Sequence, residues 1–92
     1  MSALFDVGTI SLSRRALGVL GGAGVHPLEL IKRHESGDWG ALGPLEWRFN
    51  DRAVVHRGEA VASQYRIGQS IDVWIVTALL TKQTRMLLGD EW

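Results

Sequence analysis

Ninety-two residues allow one domain, spanning 1–92, with a small core. Ten basic and ten acidic side chains cancel, so no long-range pull toward phosphate backbones or anionic lipid is expected, and self-association as a homodimer is left open. The absence of cysteine excludes disulfides, thiolate nucleophiles and cysteine-based zinc sites.

The N-terminus has no apolar run behind a basic start, and no segment approaches the roughly 20 apolar residues of a membrane span. A cytoplasmic protein without a membrane partner is expected. Residues 5–12 read as a short or edge strand, with Phe5, Val7, Thr9 and Ser11 on one side. Ser13 can cap a helix over 14–23 that places Ala16, Leu17 and Leu20 on one face. Arg14 and Arg15 stand where the helix dipole favours acids, and Gly18, Gly21 and Gly22 each cost about 1 kcal/mol against alanine, so this helix depends on packing. Gly24 suits a left-handed end.

Pro27 fits the first turn of a second helix, with His26 before it as cap or entry residue and Leu28, Leu30, Ile31 and His34 following. Ser36 or Gly37 closes it. A glycine-rich connection carrying Trp39 leads to Pro44, which opens a third helix over 44–56. There Leu45, Phe49, Arg52 and Ala53 recur at helical spacing. After Gly58 the period changes to two. Strands over 61–67, 71–78 and 84–88, separated by turns at 68–70 and 81–83, predict two successive hairpins. The expected fold is α+β: a short N-terminal strand, three short helices and a C-terminal three-stranded antiparallel meander.

Three groups of polar residues invite chemistry. His34 and Asp38 lie four apart, and Ser63 from the sheet would complete a hydrolase-like set of nucleophile, base and orienting acid. No nucleophile motif accompanies them. The competing reading is a helix-terminal histidine beside an aspartate that bonds turn amides. Asn50 and Asp51 are poor helix formers in mid-helix, which suggests that they bond across to the turn at 38–40. His34, Asp38, Asn50 and Asp51 together read as a joint fixing the second helix against the third. His26, His34, His56 and Asp38 match no metal-ligand spacing, so no metal and no cofactor are expected.

The four tryptophans are many for this length. Trp39, Trp47 and Trp74 suit core or half-buried positions, while Trp92, the last residue of the sequence, suits docking on the sheet or contact with a partner. Tyr65, Arg66, Trp74 and Arg85 on paired strands would make a base-stacking platform, and Arg48 with Arg52 a phosphate contact. Zero net charge and the lack of a ribonucleoprotein motif make nucleic acid the less favoured partner. Leu79 and Leu80 continue an apolar strand into a hairpin turn with Lys82. They give either an apolar contact spot or a longer buried strand.

Arg33-His34, Ser36-Gly37-Asp38-Trp39-Gly40, Asn50-Asp51-Arg52-Ala53, Ser63 with Tyr65, and Trp74 through Thr77 carry a resemblance. Closed by Leu87-Leu88 and Asp90-Glu91-Trp92, the sequence resembles a family of small proteins of bacterial plasmids and integrative elements. Its members are usually labelled plasmid-related protein or mislabelled as a type I restriction subunit. After Thr77 the chain departs from the family's charged hairpin, holding Ala78, Leu79, Leu80, Thr81, Lys82 and Gln83 instead. The resemblance supplies no activity. It implies an accessory gene of mobile DNA, and hence a non-enzymatic inhibitor of a defence nuclease or effector complex, of anti-CRISPR or anti-restriction type. The expected partner surface comprises Trp39, Arg48, Arg52, the turn with Leu79, Leu80 and Lys82, and Trp92.

Overall fold

Period-two and period-3.6 segments follow one another along the chain as β1 (Thr9–Leu12), α1 (Arg14–Ala23), α2 (Pro27–Glu35), α3 (Pro44–His56), β2 (Ala60–Ile67), β3 (Ile71–Ala78) and β4 (Gln83–Leu88), with a 3-10 turn at Gly89–Glu91. The structure, a computed structural model, describes residues 3–68 and 70–91. The class is α+β. Among the described residues no helix is long and apolar enough to cross a membrane.

One four-stranded sheet is ordered β1-β4-β3-β2. β3 pairs antiparallel with both β2 and β4, but β1 lies parallel to β4. The expected meander with a separate N-terminal strand is thus corrected to a mixed sheet in which that strand is a full member. The backbone groups on the outer side of β4 would otherwise lack partners, and β1 supplies them through the register Thr9↔Gln83 to Leu12↔Met86. β1 is also shorter than residues 5–12. The Asp6 carboxylate accepts the Gly8 amide at 2.8 Å, and Gly8 takes φ +63°, so the extended run begins only at Thr9.

Helix signals in the sequence act where expected. Ser13 Oγ accepts the Ala16 amide at 3.0 Å, and Gly24 ends α1 in the left-handed region. The acids that α1 lacks in its own first turn arrive from the other end of the chain: Arg15 meets Asp90 at 3.0 Å, and the Ser13 hydroxyl donates to Glu91 at 2.6 Å. His26 Nδ1 accepts the Leu28 amide at 3.1 Å and caps α2 beside Pro27.

Alternate residues of the sheet point inward: Val61, Ser63 and Tyr65 of β2, Val73, Ile75 and Thr77 of β3, and Thr84, Met86 and Leu88 of β4. Ala16 and Leu20 of α1 with Leu30 and Ile31 of α2 close over this face. α3 contributes to the interior differently. Its one buried residue is Asn50, whose Nδ2 donates to the Ala62 carbonyl at 2.7 Å and whose Oδ1 accepts the Ala62 amide at 3.3 Å. A side-chain amide thus occupies the free edge of β2 as a neighbouring strand would. The loop before α3 continues that cover: Gln64 donates its amide to the Trp39 carbonyl, and its own carbonyl accepts from Ala41. Gly40, at φ +77°, lies so close that a Cβ there would overlap the Gln64 carbonyl oxygen.

Candidate functional site

The interior holds a chain of polar groups that the sequence foreshadowed only in part. His34, on the last turn of α2, is fully buried. Its Nδ1 lies 2.5 Å from Ser63 Oγ and its Nε2 lies 2.8 Å from Thr77 Oγ1. Thr77 Oγ1 lies 2.7 Å from Thr84 Oγ1, which bonds the Val7 carbonyl at 2.6 Å. The single proton on each hydroxyl fixes every direction. A carbonyl can only accept, so Thr84 donates to Val7; Thr77 must then donate to Thr84; Nε2 must donate to Thr77; and Nδ1 of the neutral ring accepts from Ser63. Burial pushes the His34 imidazolium down to about 4, which agrees with a neutral ring.

Three rings close this interior. Phe5 stacks on Trp39 with centroids 6.0 Å apart and meets His34 edge-on at 5.2 Å; Trp39 meets His34 edge-on at 5.6 Å. The His34, Asp38 and Ser63 set therefore assembles only as a pair. Asp38 sends its carboxylate to Arg33 Nε at 2.7 Å and to the Gly40 amide at 3.1 Å, away from the imidazole. The Arg33 guanidinium, and secondarily the Gly40 amide, hold the Asp38 carboxyl below the ordinary carboxylate range. Ser63 and His34 have no exposed surface in this conformation.

Trp39 takes the core position expected of it and not the place on a partner surface also given to it: it is fully buried, its indole donates to Asp51 Oδ1 at 2.8 Å, and its ring fills the space beside Phe5 and His34. Asp51 thus reaches the loop at 38–40, as the mid-helix position suggested. Asn50 does not; it turns to β2 instead. Tyr65, placed in a base-stacking platform by its strand, faces the core, donates to the Asp38 carbonyl at 2.6 Å, and carries the Arg33 guanidinium 4.6 Å above its ring. Burial pushes its phenol up to about 12. Trp74 and Arg85 lie on the opposite face of the sheet from Tyr65, so the platform does not form. Arg66 pairs with Asp72 at 3.1 Å. Trp92 lies outside the described residues.

The accessible polar and apolar residues gather elsewhere. Leu45, Phe49 and Val55 of α3 are 62%, 66% and 73% exposed, on the side of the helix that also carries exposed Arg48 and Arg52. The helical spacing of Leu45, Phe49 and Arg52 marks this solvent face. On another side of α3, Val54 joins Leu4, Phe5, Leu79 and Leu80 around a cleft of about 420 Å³ that Arg57 and Lys82 also line. Leu79 is half-buried and Leu80 is 73% exposed, so the hairpin turn is an apolar surface feature and not an extension of the strands. Among the described residues no group of three or more histidine, aspartate or glutamate side chains could hold a metal ion.

Sequence reasoning missed Thr77, Thr84, Phe5 and Arg57. The two threonines had a visible signal: each interrupts an apolar period, in Val73-Ile75-Thr77 and in Thr84-Met86-Leu88, and the register sets them opposite one another. Phe5 and Arg57 had none, since an irregular arm and a helix end place them. Comparison of the chain with protein-family models, with curated proteins and with solved structures returned no match.

Proposed function

We propose that this chain is a non-catalytic binding module that works by covering a surface on a protein partner. The observation that carries the reading is the outward face of α3, where Leu45, Phe49 and Val55 lie in water beside Arg48 and Arg52. Apolar side chains grouped with arginines and excluded from the fold's own core have the composition of an interface centre. The resemblance to plasmid-carried accessory proteins makes a bacterial defence complex the partner class, with inhibition by occlusion as the mode of action.

A photo-reactive phenylalanine analogue at position 49, compared with one at Leu28 on α2, tests this in a host with active restriction or CRISPR interference. Position 49 is expected to form a light-dependent adduct with one protein of a defence complex and position 28 none. Phe49→Glu is expected to abolish protection of incoming DNA while the circular dichroism spectrum stays that of the parent. Equal adducts from both positions, or full protection by Phe49→Glu, would refute the reading.

A further inference from the structure

The described chain holds left-handed backbone at two residues that are not glycine, Arg57 (φ +53°) and Lys82 (φ +56°). One ends α3 and the other lies in the turn between β3 and β4, positions where glycine or asparagine fits with least strain. The two are far apart in sequence, yet both line the cleft between the N-terminal arm, α3 and the hairpin. Strained backbone of this kind gathers at functional sites. Among the described residues Arg57 makes no ion pair, and Lys82 Nζ reaches Asp6 only at 3.9 Å, so the cleft carries two cations against one acid. Leu4, Phe5, Val54, Leu79 and Leu80 supply the apolar part of its walls beside those charges.

We infer that this cleft receives an apolar side chain flanked by carboxylates, presented by an acidic segment of the protein partner. The inference rests on the binding-module reading above and names the chemistry of the partner. A knob such as a leucine or phenylalanine fills the apolar walls while neighbouring carboxylates meet Arg57 and Lys82. Leu80, 73% exposed, favours a protein segment over a small free ligand, which would leave it in water. A nucleic acid would use the two cations and leave the apolar walls empty.

Titration of the full ¹⁵N-labelled chain with acetyl-Asp-Phe-Glu-amide, and with its neutral isostere acetyl-Asn-Phe-Gln-amide, tests the inference. Saturable shifts are expected at the amides of Val54, Arg57, Leu79 and Leu80, with the acidic peptide bound about fivefold more tightly than the neutral one. The double variant Arg57→Asn/Lys82→Asn keeps residues that tolerate left-handed backbone, and its melting temperature is expected to hold while the preference between the peptides disappears. Phe49→Glu, on the other side of α3, is expected to bind the acidic peptide as the parent does. Equal affinity for both peptides, shifts remote from the cleft, or stronger binding of decanoate or of a single-stranded oligonucleotide than of the acidic peptide would overturn it. Loss of peptide binding with the position-49 adduct intact would remove the cleft and leave the α3 reading. Peptide binding without the adduct would support the cleft and remove the α3 reading.

Discussion

His34 offers the sharpest test of the interior. The ring is buried and neutral, its two nitrogens are engaged by Ser63 and Thr77, and among the described residues no carboxylate hydrogen-bonds it. Its pKa falls from the ordinary 6.5 to about 4 on folding. The sign follows directly. Between those values the unfolded chain binds a proton at this residue and the folded chain does not, so stability is full above pH 6.5 and declines as pH falls. The decline levels off below the folded value, where the native ring is charged as well. A gap of about 2.5 pH units corresponds to about 3 kcal/mol at the plateau, and to about 2 kcal/mol already at pH 5. For a domain of this size that is a large part of the total, on the order of 5–15 kcal/mol.

Urea unfolding at a series of pH values from 7.5 to 4, on the parent and on His34→Gln, measures the slope. Glutamine can still donate to Thr77, and it does not titrate. The parent is expected to lose about 2 kcal/mol between pH 7.5 and 5, and the variant to stay flat over that range. The carboxyls of Asp38, Asp72 and Glu91 are held below their ordinary values, so their contributions are present at neutral pH and fade only toward more acid pH. They leave the interval above pH 5 to histidine. Equal slopes for the two proteins would refute the buried, neutral ring and the hydrogen-bond directions derived from it.

Asn50→Ala removes both partners of the Ala62 backbone at the β2 edge and is expected to cost about 2 kcal/mol by urea denaturation. Asp51→Ala strands the indole N–H of buried Trp39 and is expected to cost about 1–3 kcal/mol, whereas Asp51→Asn keeps an acceptor oxygen and is expected to recover most of that loss. Gly40→Ala places a Cβ against the Gln64 carbonyl in left-handed backbone and is expected to lower stability by roughly 3 kcal/mol or prevent folding, read as soluble yield and melting temperature. Gly21→Ala in α1 meets nothing within 4 Å and is expected to raise stability by about 0.5–1 kcal/mol without changing binding.

Local rules made most of the elements legible. Ser13, Pro27, Pro44 and Gly24 mark helix ends by their own chemistry, and the change of period after Gly58 marks the hairpins, so those elements follow from neighbours in sequence. The strand over Thr9–Leu12 was legible but its place in the sheet was not, because it finds its partner some seventy residues away in β4 and no nearby signal says so. The candidate site divides the same way. Asp51 reaching Trp39 was legible as a poor helix former near a tight loop, and Ser63 beside His34 as a nucleophile–base pairing. What the sequence withheld was accessibility, since an imidazole sealed under Phe5 and Trp39 and one open to water are spelled alike.

α3 departs from the usual rule for amphipathic helices, and its large apolar side chains Leu45 and Phe49 are left exposed. An amphipathic helix normally turns its apolar stripe to the core, because burying a leucine or phenylalanine stabilises the fold by roughly 1.5–3 kcal/mol. Here that stripe, Leu45 and Phe49, points to water, and the opposite side holds Asn50 against the β2 edge. Asp51, itself exposed, reaches back to the Trp39 indole. Directional hydrogen bonds at the sheet edge do the anchoring that apolar burial does elsewhere. They fix the helix while leaving its large apolar side chains uncommitted, at a cost to the isolated domain of roughly 3 kcal/mol in forgone burial for those two partly exposed residues. If a partner covers that face, complex formation regains the burial, and the chain in the complex should melt higher than the free chain. Phe49→Ala should remove much of that increment while leaving the free chain's own melting temperature almost unmoved, a separation that a core-facing phenylalanine could not produce.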